Sequence, residues 1–159
     1  MPIMDSQLLL CESQSIAGNS GTSTDSTNII YIPQVQDHTG TLRDDRPNVS
    51  GRLHLNVVVE DEDLAAAADS SVVTIALYAD TDDTTVTTDG AVLLTKDISV
   101  DQATNYPDGT QLMCIPLPIG TFDQYLQLKA TKASQNLSTG KITAWIGPPI
   151  QQGGAHGAL

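Results

Sequence analysis

Three histidines are the first residues to test for metal chemistry, because neutral imidazole is a frequent ligand of transition metals in proteins. They are His38, His54 and His156, and they lie far apart in the chain. A metal-dependent enzyme of the cupin kind needs histidine and carboxylate ligands grouped on neighbouring strands. The spacing shows no such group, so the sequence predicts neither a metal centre nor any other cofactor.

The acidic run Asp80–Asp83 has the residue types that bind Ca²⁺, a cation that prefers carboxylate oxygens. It lacks the glycine and the terminal glutamate of the usual calcium-binding loop. The sequence therefore favours carboxylates that simply face water, and it predicts no calcium site.

The residue types needed for covalent or acid–base catalysis form no recognisable constellation. A serine nucleophile needs a sharp turn beside a base, and a Gly-x-Ser-x-Gly motif is absent. Glycosidases use a pair of carboxylates, but nineteen Asp and Glu residues offer so many pairs that none stands out. We therefore expect a protein that is not an enzyme.

Two cysteines, Cys11 and Cys114, each lie in or beside a short apolar run. Unpaired cysteine is among the residues most often buried, so two reduced and buried thiols are the favoured interpretation. A single disulfide between the first strand and a late strand is the alternative. Two cysteines are too few for a disulfide framework or a zinc site.

The balance of charge narrows the possible partners. Seven Lys and Arg residues against nineteen Asp and Glu residues give a net charge of -12 at pH 7. Binding to nucleic acid needs clustered positive charge that displaces counterions from phosphates, and an anionic membrane also attracts cations. Nucleic acid and membranes are therefore not expected as partners, and the charge favours either a solvated outer surface or a partner that carries basic groups.

The chain also lacks the signals of export. No apolar run approaches the ~20 residues of a membrane-spanning helix. The start lacks the basic segment of a signal peptide, and Leu8–Leu10 is too short for its apolar core. We therefore expect synthesis and use without export, where thiols stay reduced.

The periodicity of apolar residues predicts strands. Tyr125–Thr131 alternates apolar and polar residues, and Lys141–Ile146 does so again after a link that contains Gly140. Such alternation is typical of a strand with one buried face, and two such runs with a short glycine-containing link indicate an antiparallel hairpin. Further strands are predicted at 7–16, 28–32, 53–59, 72–78, 91–100 and 110–115, one helical turn at 64–68, and polar loops at 18–27 and 80–90.

About eight short strands with turn-rich links predict an all-β fold, either a jelly roll or a two-sheet antiparallel sandwich. We expect one domain over residues 1–147 with an N-terminal arm, followed by a flexible tail over 148–159 that is rich in Gly, Pro and Gln. Gln34–Gly51 is the longest stretch without a predicted element, and stretches of this kind are often functional or mobile.

Trp145 is the only tryptophan in the chain. If Ile142, Ala144 and Ile146 point into the core, alternation directs Trp145 outward, where an indole is a favoured contact residue. Packing under a loop of the same chain is the alternative, and the sequence leaves both open.

Several segments together resemble one known family. In Pro118–Leu128 a Pro/Gly turn precedes Tyr-Leu-x-Leu, and in Ser138–Ala144 a Thr-Gly turn leads to a last strand that bears Thr-Ala. The opening segments Asp5–Gln14 and Ser26–Ile30 and the mid-chain segment Leu77–Asp82 belong to the same pattern. These segments resemble the small capsid cement (decoration) proteins of tailed bacteriophages.

The resemblance covers most of Met4–Ile146 and departs from the family in Gln34–Gly51 and beyond Gly147. It implies a jelly-roll or sandwich domain that forms homotrimers and binds the major capsid protein. The expected location is the outer surface of a mature icosahedral head, at or near its three-fold positions. The expected role is to stabilise the virion against the pressure of packed DNA, after synthesis in the host cytoplasm.

Within that family, we expect the N-terminal arm, the arginine-bearing loop and Trp145 to form the capsid or trimer interface. The predicted interface residues are Met4, Asp5, Gln7, Arg43, Asp44, Arg46 and Trp145. A phage receptor-binding or carbohydrate-binding sandwich is the alternative function. It would need exposed aromatic rings, and aromatic residues make up only 4% of the chain.

Overall fold

The structure, a computed structural model, describes residues 8–32, 53–68, 71–103, 105–118 and 123–150, together with the backbone of 35–36 and 42–43. These residues form two large and two small antiparallel sheets and one short helix. The elements are β1 (Leu9–Ser15), β2 (Ser23–Asp25), β3 (Ile30–Tyr31), β4 (Val35–Gln36), β5 (Leu42–Arg43), β6 (His54–Val59), β7 (Ala65–Ala66), β8 (Ser71–Asp80), α1 (Val86–Asp89), β9 (Ala91–Val100), β10 (Gln111–Pro116), β11 (Tyr125–Ala133), β12 (Leu137–Thr139) and β13 (Lys141–Gly147).

The strand order of the two large sheets is that of a jelly roll. Sheet 1 has the order β1-β13-β6-β10, and sheet 2 has the order β2-β11-β8-β9, with β3 also paired to β11. Counting β2 and β3 as one interrupted strand, eight strands form four nested antiparallel pairs: first with last, second with seventh, third with sixth and fourth with fifth. Successive pairs alternate between the sheets, so the predicted all-β, two-sheet jelly roll is confirmed.

The core lies between the two sheets, because alternation along the central strands turns one apolar face of each sheet inward. Burying a Leu, Ile or Val side chain contributes about 1.5–3 kcal/mol relative to leaving it exposed. The central strands β6, β8, β11 and β13 supply buried side chains from both sheets: Leu55, Val57, Val59, Val73, Ile75, Leu77, Leu126, Leu128, Ala130, Ile142, Ala144 and Ile146.

The predicted hairpin between β11 and β13 is wrong, because the two strands lie in different sheets. Their link crosses between sheets that stack about 10 Å apart, and it includes β12, which pairs with β7. Gly140 closes the link at φ 148°, and a Cβ atom there would lie 2.6 Å from Leu64 Cδ1. The glycine therefore allows a close crossing under Leu64 and does not form a two-strand turn.

Three local predictions also fail. The helical turn expected at 64–68 is extended, because β7 pairs with β12 and pairing overrides the helical preference of alanine. The loop expected at 18–27 contains β2, which pairs with β11. The polar loop expected at 80–90 contains α1, whose Val86 is buried.

Both predicted terminal segments meet the sandwich at one end of sheet 1. Leu9 pairs with Trp145 and Gly147 pairs with His54, so β1 begins where β13 ends. The carbonyl of Pro148 accepts a hydrogen bond from Asn56 Nδ2 (3.2 Å), which anchors the first residue of the predicted tail. The rest of the tail from 151 and the arm up to residue 7 lie outside the described residues.

The segment from 34 to 51 contains the short pair β4–β5, in which Val35 lies opposite Arg43. It was predicted to carry no element of its own, so that prediction is wrong for these four residues. Within the described part of the chain, no helix has the length and apolar character needed to cross a membrane.

Candidate functional site

The outer face of sheet 1 carries a row of side chains that runs across all four strands. Leu9 of β1 lies opposite Trp145 of β13, Trp145 lies opposite Asn56 of β6, and Asn56 lies opposite Cys114 of β10. Residues directly opposite each other in antiparallel strands share a face. The neighbours of Asn56 along β6 are core residues, so this row faces away from the core.

Asn56 is the most enclosed residue of this row, with none of its surface exposed. Its Nδ2 donates to the carbonyls of His54 (3.3 Å) and Pro148 (3.2 Å). No described residue offers a hydrogen bond to its Oδ1. Burial of a polar group outside the core shows that the outer face of sheet 1 is locally closed around Asn56.

Trp145 lies on this outer face and is half-buried. Its flanking residues Ala144 and Ile146 are in the core, which is the condition under which alternation directs the indole outward. A Cβ atom at Gly147 would lie 3.2 Å from Trp145 Cδ1 and 3.4 Å from Nε1, so the indole packs along its own strand. Part of the ring is left for a partner, and its role as an interface residue stays a prediction.

Both cysteines are free, so the predicted unpaired thiols are confirmed, whereas the predicted burial holds for Cys11 and not for Cys114. Cys11 is buried, and burial raises the pKa of its thiol to about 11, despite an opposing hydrogen bond from the backbone of Ala144. Such a thiol stays protonated and unreactive at neutral pH. Cys114 is half-buried on the outer face of sheet 1.

A polar network ties β1 to β13 and to the loop after β6. The backbone N–H of Ser13 donates to Thr143 Oγ1 (2.8 Å), and the Ser13 hydroxyl donates to the Asp61 carboxylate. The Thr143 hydroxyl donates in turn to the Glu60 carboxylate. Ser13 sits at a bulge with φ 45°, and the network supports that conformation, so these carboxylates have a structural role.

Among the residues that the structure describes, no group of His, Cys, Asp or Glu side chains could hold a metal ion. His54 lies on β6, while His38 and His156 fall outside the described residues.

The Asp80 and Asp82 carboxylates accept hydrogen bonds from their own loop. Asp80 Oδ1 accepts from the N–H of Thr81 (2.6 Å). Asp82 Oδ1 accepts from the N–H (2.7 Å) and the hydroxyl (2.6 Å) of Thr84. The Thr84 hydroxyl, followed by its N–H, lowers the pKa of Asp82, so this carboxylate is ionised.

The outer face of sheet 2 is different, because it exposes apolar and aromatic side chains. Tyr31 lies opposite Tyr125, and Tyr78 lies opposite Val92 in the adjacent pair of strands. Tyr31 and Val92 are each 52% exposed, and Ile29 is 36% exposed. The rings of Tyr31 and Tyr125 contact each other with centroids 5.0 Å apart. We call Ile29, Tyr31, Tyr78, Val92 and Tyr125 the tyrosine face.

The helix α1 packs beside the tyrosine face on the same sheet. Lys129, which points outward from β11, donates from Nζ to the Thr87 carbonyl of α1 (3.0 Å) and lies 5.8 Å from the centre of the Tyr78 ring. Gly90 follows α1 where a Cβ atom would lie 2.2 Å from the carbonyl oxygen of Val86. The loop from β8 to β9 is therefore folded tightly onto the outer surface.

The sequence indicated this face only in part. Alternation already places Tyr125 on the wet face of its strand, with Gln127 and Lys129. The low aromatic content, however, argued against any aromatic surface. Three of the four tyrosines meet on one face because β3, β8 and β11 are neighbours in sheet 2, and that adjacency follows from the nested topology alone.

Most of the predicted interface residues fall outside the described part of the chain. They are Met4, Asp5, Gln7, Asp44 and Arg46, and the side chain of Arg43 is also not described. Only Trp145 has a described environment, at the end of sheet 1 where β1 begins. The structure therefore leaves this predicted interface as a prediction.

No family model matches this chain, and no curated protein matches it. Among solved structures, the chain is similar to "Structure of infectious bursal disease virus Gx strain" with a TM-score of 0.45 and 12% identity over 96% of its length. It spans 33% of that chain. The fold assignment depends on the strand order described above, and this likeness adds nothing to it.

Proposed function

We propose that this chain is a capsid cement protein that binds the outer surface of a mature icosahedral phage head as a trimer. The observation that carries the proposal is where the segments of the family resemblance lie in the fold. Leu9–Gln14 lies in β1, Leu77–Asp80 in β8, Tyr125–Leu128 in β11 and Lys141–Ala144 in β13. These strands include the outermost nested pair and the centre of sheet 2, so the resemblance concerns the framework of the jelly roll.

The mechanism is a three-point clamp. Each protomer makes a modest contact with one copy of the major capsid protein, and trimerisation makes the second and third contacts intramolecular. Such linkage raises overall affinity by about 10²–10⁴ when the geometry allows all sites to bind together. A trimer that bridges neighbouring shell subunits then opposes their separation under internal pressure.

The architecture suits a part that transmits load between subunits. In β1 and β13 the first and last strands of the domain pair with each other, and the core fills the space between the sheets. Close-packed interiors have low compressibility and transmit strain. The net charge of -12 complements a shell surface that carries basic groups and does not favour the packaged DNA as a partner.

The direct test adds purified protein to heads of the encoding phage from which it has been removed. We expect a trimer in sedimentation equilibrium, binding to expanded heads but not to immature ones, and less DNA release on heating. Binding to both expanded and immature heads would contradict the claim that the protein recognises only the mature head. A monomer that does not bind heads would refute the proposal.

A carbohydrate-binding role is the second candidate, and the tyrosine face is the observation that favours it. Jelly rolls are also the fold of many lectin domains, and sugars stack on exposed aromatic rings. The tilt of 34° between Tyr31 and Tyr125 gives no single flat platform, which counts against it. Binding on a glycan array that is abolished in Tyr31→Thr would establish this role, and an array without signals would exclude it for the glycans tested.

A further inference from the structure

The largest exposed apolar side chains of the described residues are all on one face. They are Ile29, Tyr31 and Val92, with exposures of 36%, 52% and 52%. Pairing places Tyr31 and Val92 near the same end of the outer face, because β3 and β8 both pair with β11 and β9 pairs with β8. Ile29 precedes the buried Ile30, so alternation directs it to the same side as Tyr31. Exposed apolar residues scattered singly need no explanation, whereas a cluster of this kind indicates an interaction site.

The composition of this cluster is that of a protein interface. Tyrosine is enriched where proteins dock, because it buries a large area at a small cost in side-chain entropy. The two rings that stand side by side, Tyr31 and Tyr125, carry hydroxyl groups that can bond a polar partner while the ring faces bury apolar groups.

Carboxylates surround the tyrosine face. Asp80 lies directly opposite Tyr125 on the neighbouring strand, and Asp82 and Asp83 follow it in an exposed loop. Asp123 precedes Tyr125 by two residues, and Asp89 ends α1 three residues before Val92. Lys129 is the described cation closest to this group, and its ammonium is bonded to the carbonyl of Thr87. The rim is therefore negative around an aromatic centre.

An aromatic centre with a carboxylate rim fits arginine and lysine. A guanidinium or ammonium group stacks on a tyrosine ring within about 6 Å of its centre and gains further energy from nearby carboxylates. We propose that the tyrosine face is the surface that docks onto the capsid subunit, at a site where arginine or lysine side chains surround an apolar patch. This inference rests on the proposed function and names the contact surface and the partner's chemistry.

A second copy of this chain fits the face less well. The four lysines already have partners or are buried: Lys96 Nζ donates to the Leu112 carbonyl (2.7 Å), Lys129 Nζ donates to the Thr87 carbonyl beside the Tyr78 ring, Lys132 is buried, and Lys141 pairs with Glu62 (3.9 Å). None of these lysines offers a basic patch to the acidic rim. The side chains of the three arginines lie outside the described residues, so the nitration experiment below distinguishes a second copy from the shell.

Paired variants test this assignment on stripped phage heads. Tyr31→Thr should weaken binding about tenfold or more, as at a central interface residue, and Val92→Thr should weaken it by about threefold. Both place threonine, a residue that favours strands, at the substituted position. The matched control is Val72→Thr, the same change at the opposite end of the same outer face, where Val72 lies opposite Ser99. It should bind as the wild type does.

The charge of the rim is tested in the same way. Asp82→Asn with Asp83→Asn should weaken binding at low salt and reduce its dependence on salt. Asp97→Asn is the control, because Asp97 lies opposite Thr74, away from the rim, and the amide oxygen can still accept the Thr74 hydroxyl. An equal loss of affinity per carboxylate removed in the two variants would show a general effect of net charge and would overturn the assignment to this face.

Nitration of tyrosine gives an independent readout on the wild-type protein. Tyr31 should react in the free trimer and be protected when the trimer is bound to heads, whereas protection already present in the free trimer would assign the face to contacts between copies.

If wild-type protein binds heads and Tyr31→Thr binds equally well, only this inference fails. If wild-type protein does not bind heads, the proposed function fails with it. Protection by a glycan and not by heads would also overturn the assignment to the shell.

Discussion

The two sheets have similar inner faces and very different outer faces. Both inner faces are filled with Leu, Ile, Val and Ala from the central strands. On the outer face of sheet 1, Asn56 and Thr143 are buried although they are polar, with exposures of 0% and 2%. On the outer face of sheet 2, Tyr31 and Val92 are half exposed although they are apolar. The outer face of sheet 1 thus buries polar residues, and the outer face of sheet 2 exposes apolar ones. Both depart from the usual pattern, in which polar residues face water and apolar residues are buried.

This reversal indicates how each face is used. A buried polar group costs free energy unless it is bonded, and Asn56 recovers part of that cost by holding His54 and Pro148 at the end of the sandwich. An exposed tyrosine face is stable in the monomer but leaves apolar area that a partner can bury. Sheet 1 is therefore closed by contacts within the chain, and sheet 2 is the side on which the proposal places the partner.

The largest effect should come from a charge placed in the closed face. Asn56→Asp buries a carboxylate beside two backbone carbonyls and should lower the free energy of unfolding by about 3–5 kcal/mol at pH 7. Because burial raises the folded-state pKa of the new carboxyl, the loss should shrink as the pH falls towards about 4. Denaturant unfolding across pH measures both effects.

The control for Asn56→Asp is Gln127→Glu on the other outer face. Gln127 is half-buried, and its Nε2 donates to the Ser26 carbonyl (3.2 Å). Water can reach the new charge there, so the loss should stay near about 1 kcal/mol. Equal losses in the two variants would contradict the distinction between a closed face and an open one.

The second effect concerns the crossing that separates the two sheets. Gly140→Ala should lower the free energy of unfolding by about 2–3 kcal/mol, because the added Cβ atom meets Leu64 and the φ angle of 148° is strained for alanine. Gly109→Ala shares a positive φ of 83° but meets nothing within 4 Å, so it should lose only about 1 kcal/mol. Similar losses for both would show that the contact with Leu64 does not matter.

This crossing also shows how far the sequence could lead. Strict alternation in Tyr125–Thr131 and Lys141–Ile146 identified both strands, because the period of side chains along a strand is set locally. Which strands become neighbours depends on contacts far apart in the chain, and the short link with Gly140 looks the same in a hairpin as in a crossing. The buried Asn56 was equally hidden, since a polar residue in an apolar strand normally faces water.

A smaller effect, of opposite sign, should come from the buried lysine of sheet 2. Lys132 is 2% exposed, its Nζ donates to Thr24 Oγ1 (3.0 Å), and burial lowers its pKa. Because the folded state disfavours the charged form, the cost of burial is present at neutral pH and is relieved as the pH rises towards the ordinary pKa of lysine.

Lys132→Met should therefore raise the free energy of unfolding by about 1 kcal/mol at pH 7, because a thioether needs no partner. The gain over wild type should narrow at alkaline pH, where the wild-type lysine loses its charge. Lys129→Met is the matched change at an outward position and should give no gain, since its ammonium bonds to Thr87 beside water. A pH-independent gain would mean that packing and not desolvation is the cause.

The smallest effect should be that of Val92→Thr on stability, and it has the greatest bearing on function. Val92 is 52% exposed, so a hydroxyl in place of a methyl group should change the free energy of unfolding by less than about 0.5 kcal/mol. The same change at half-buried Val58, which lies between Thr143 and Gln111 on the outer face of sheet 1, should cost about 1 kcal/mol. A variant that unfolds like the wild type yet binds heads less tightly can owe its defect only to the surface it presents. If Val92→Thr instead destabilises the fold as much as Val58→Thr does, Val92 is packed within its own chain, and the outer face of sheet 2 is as closed as that of sheet 1.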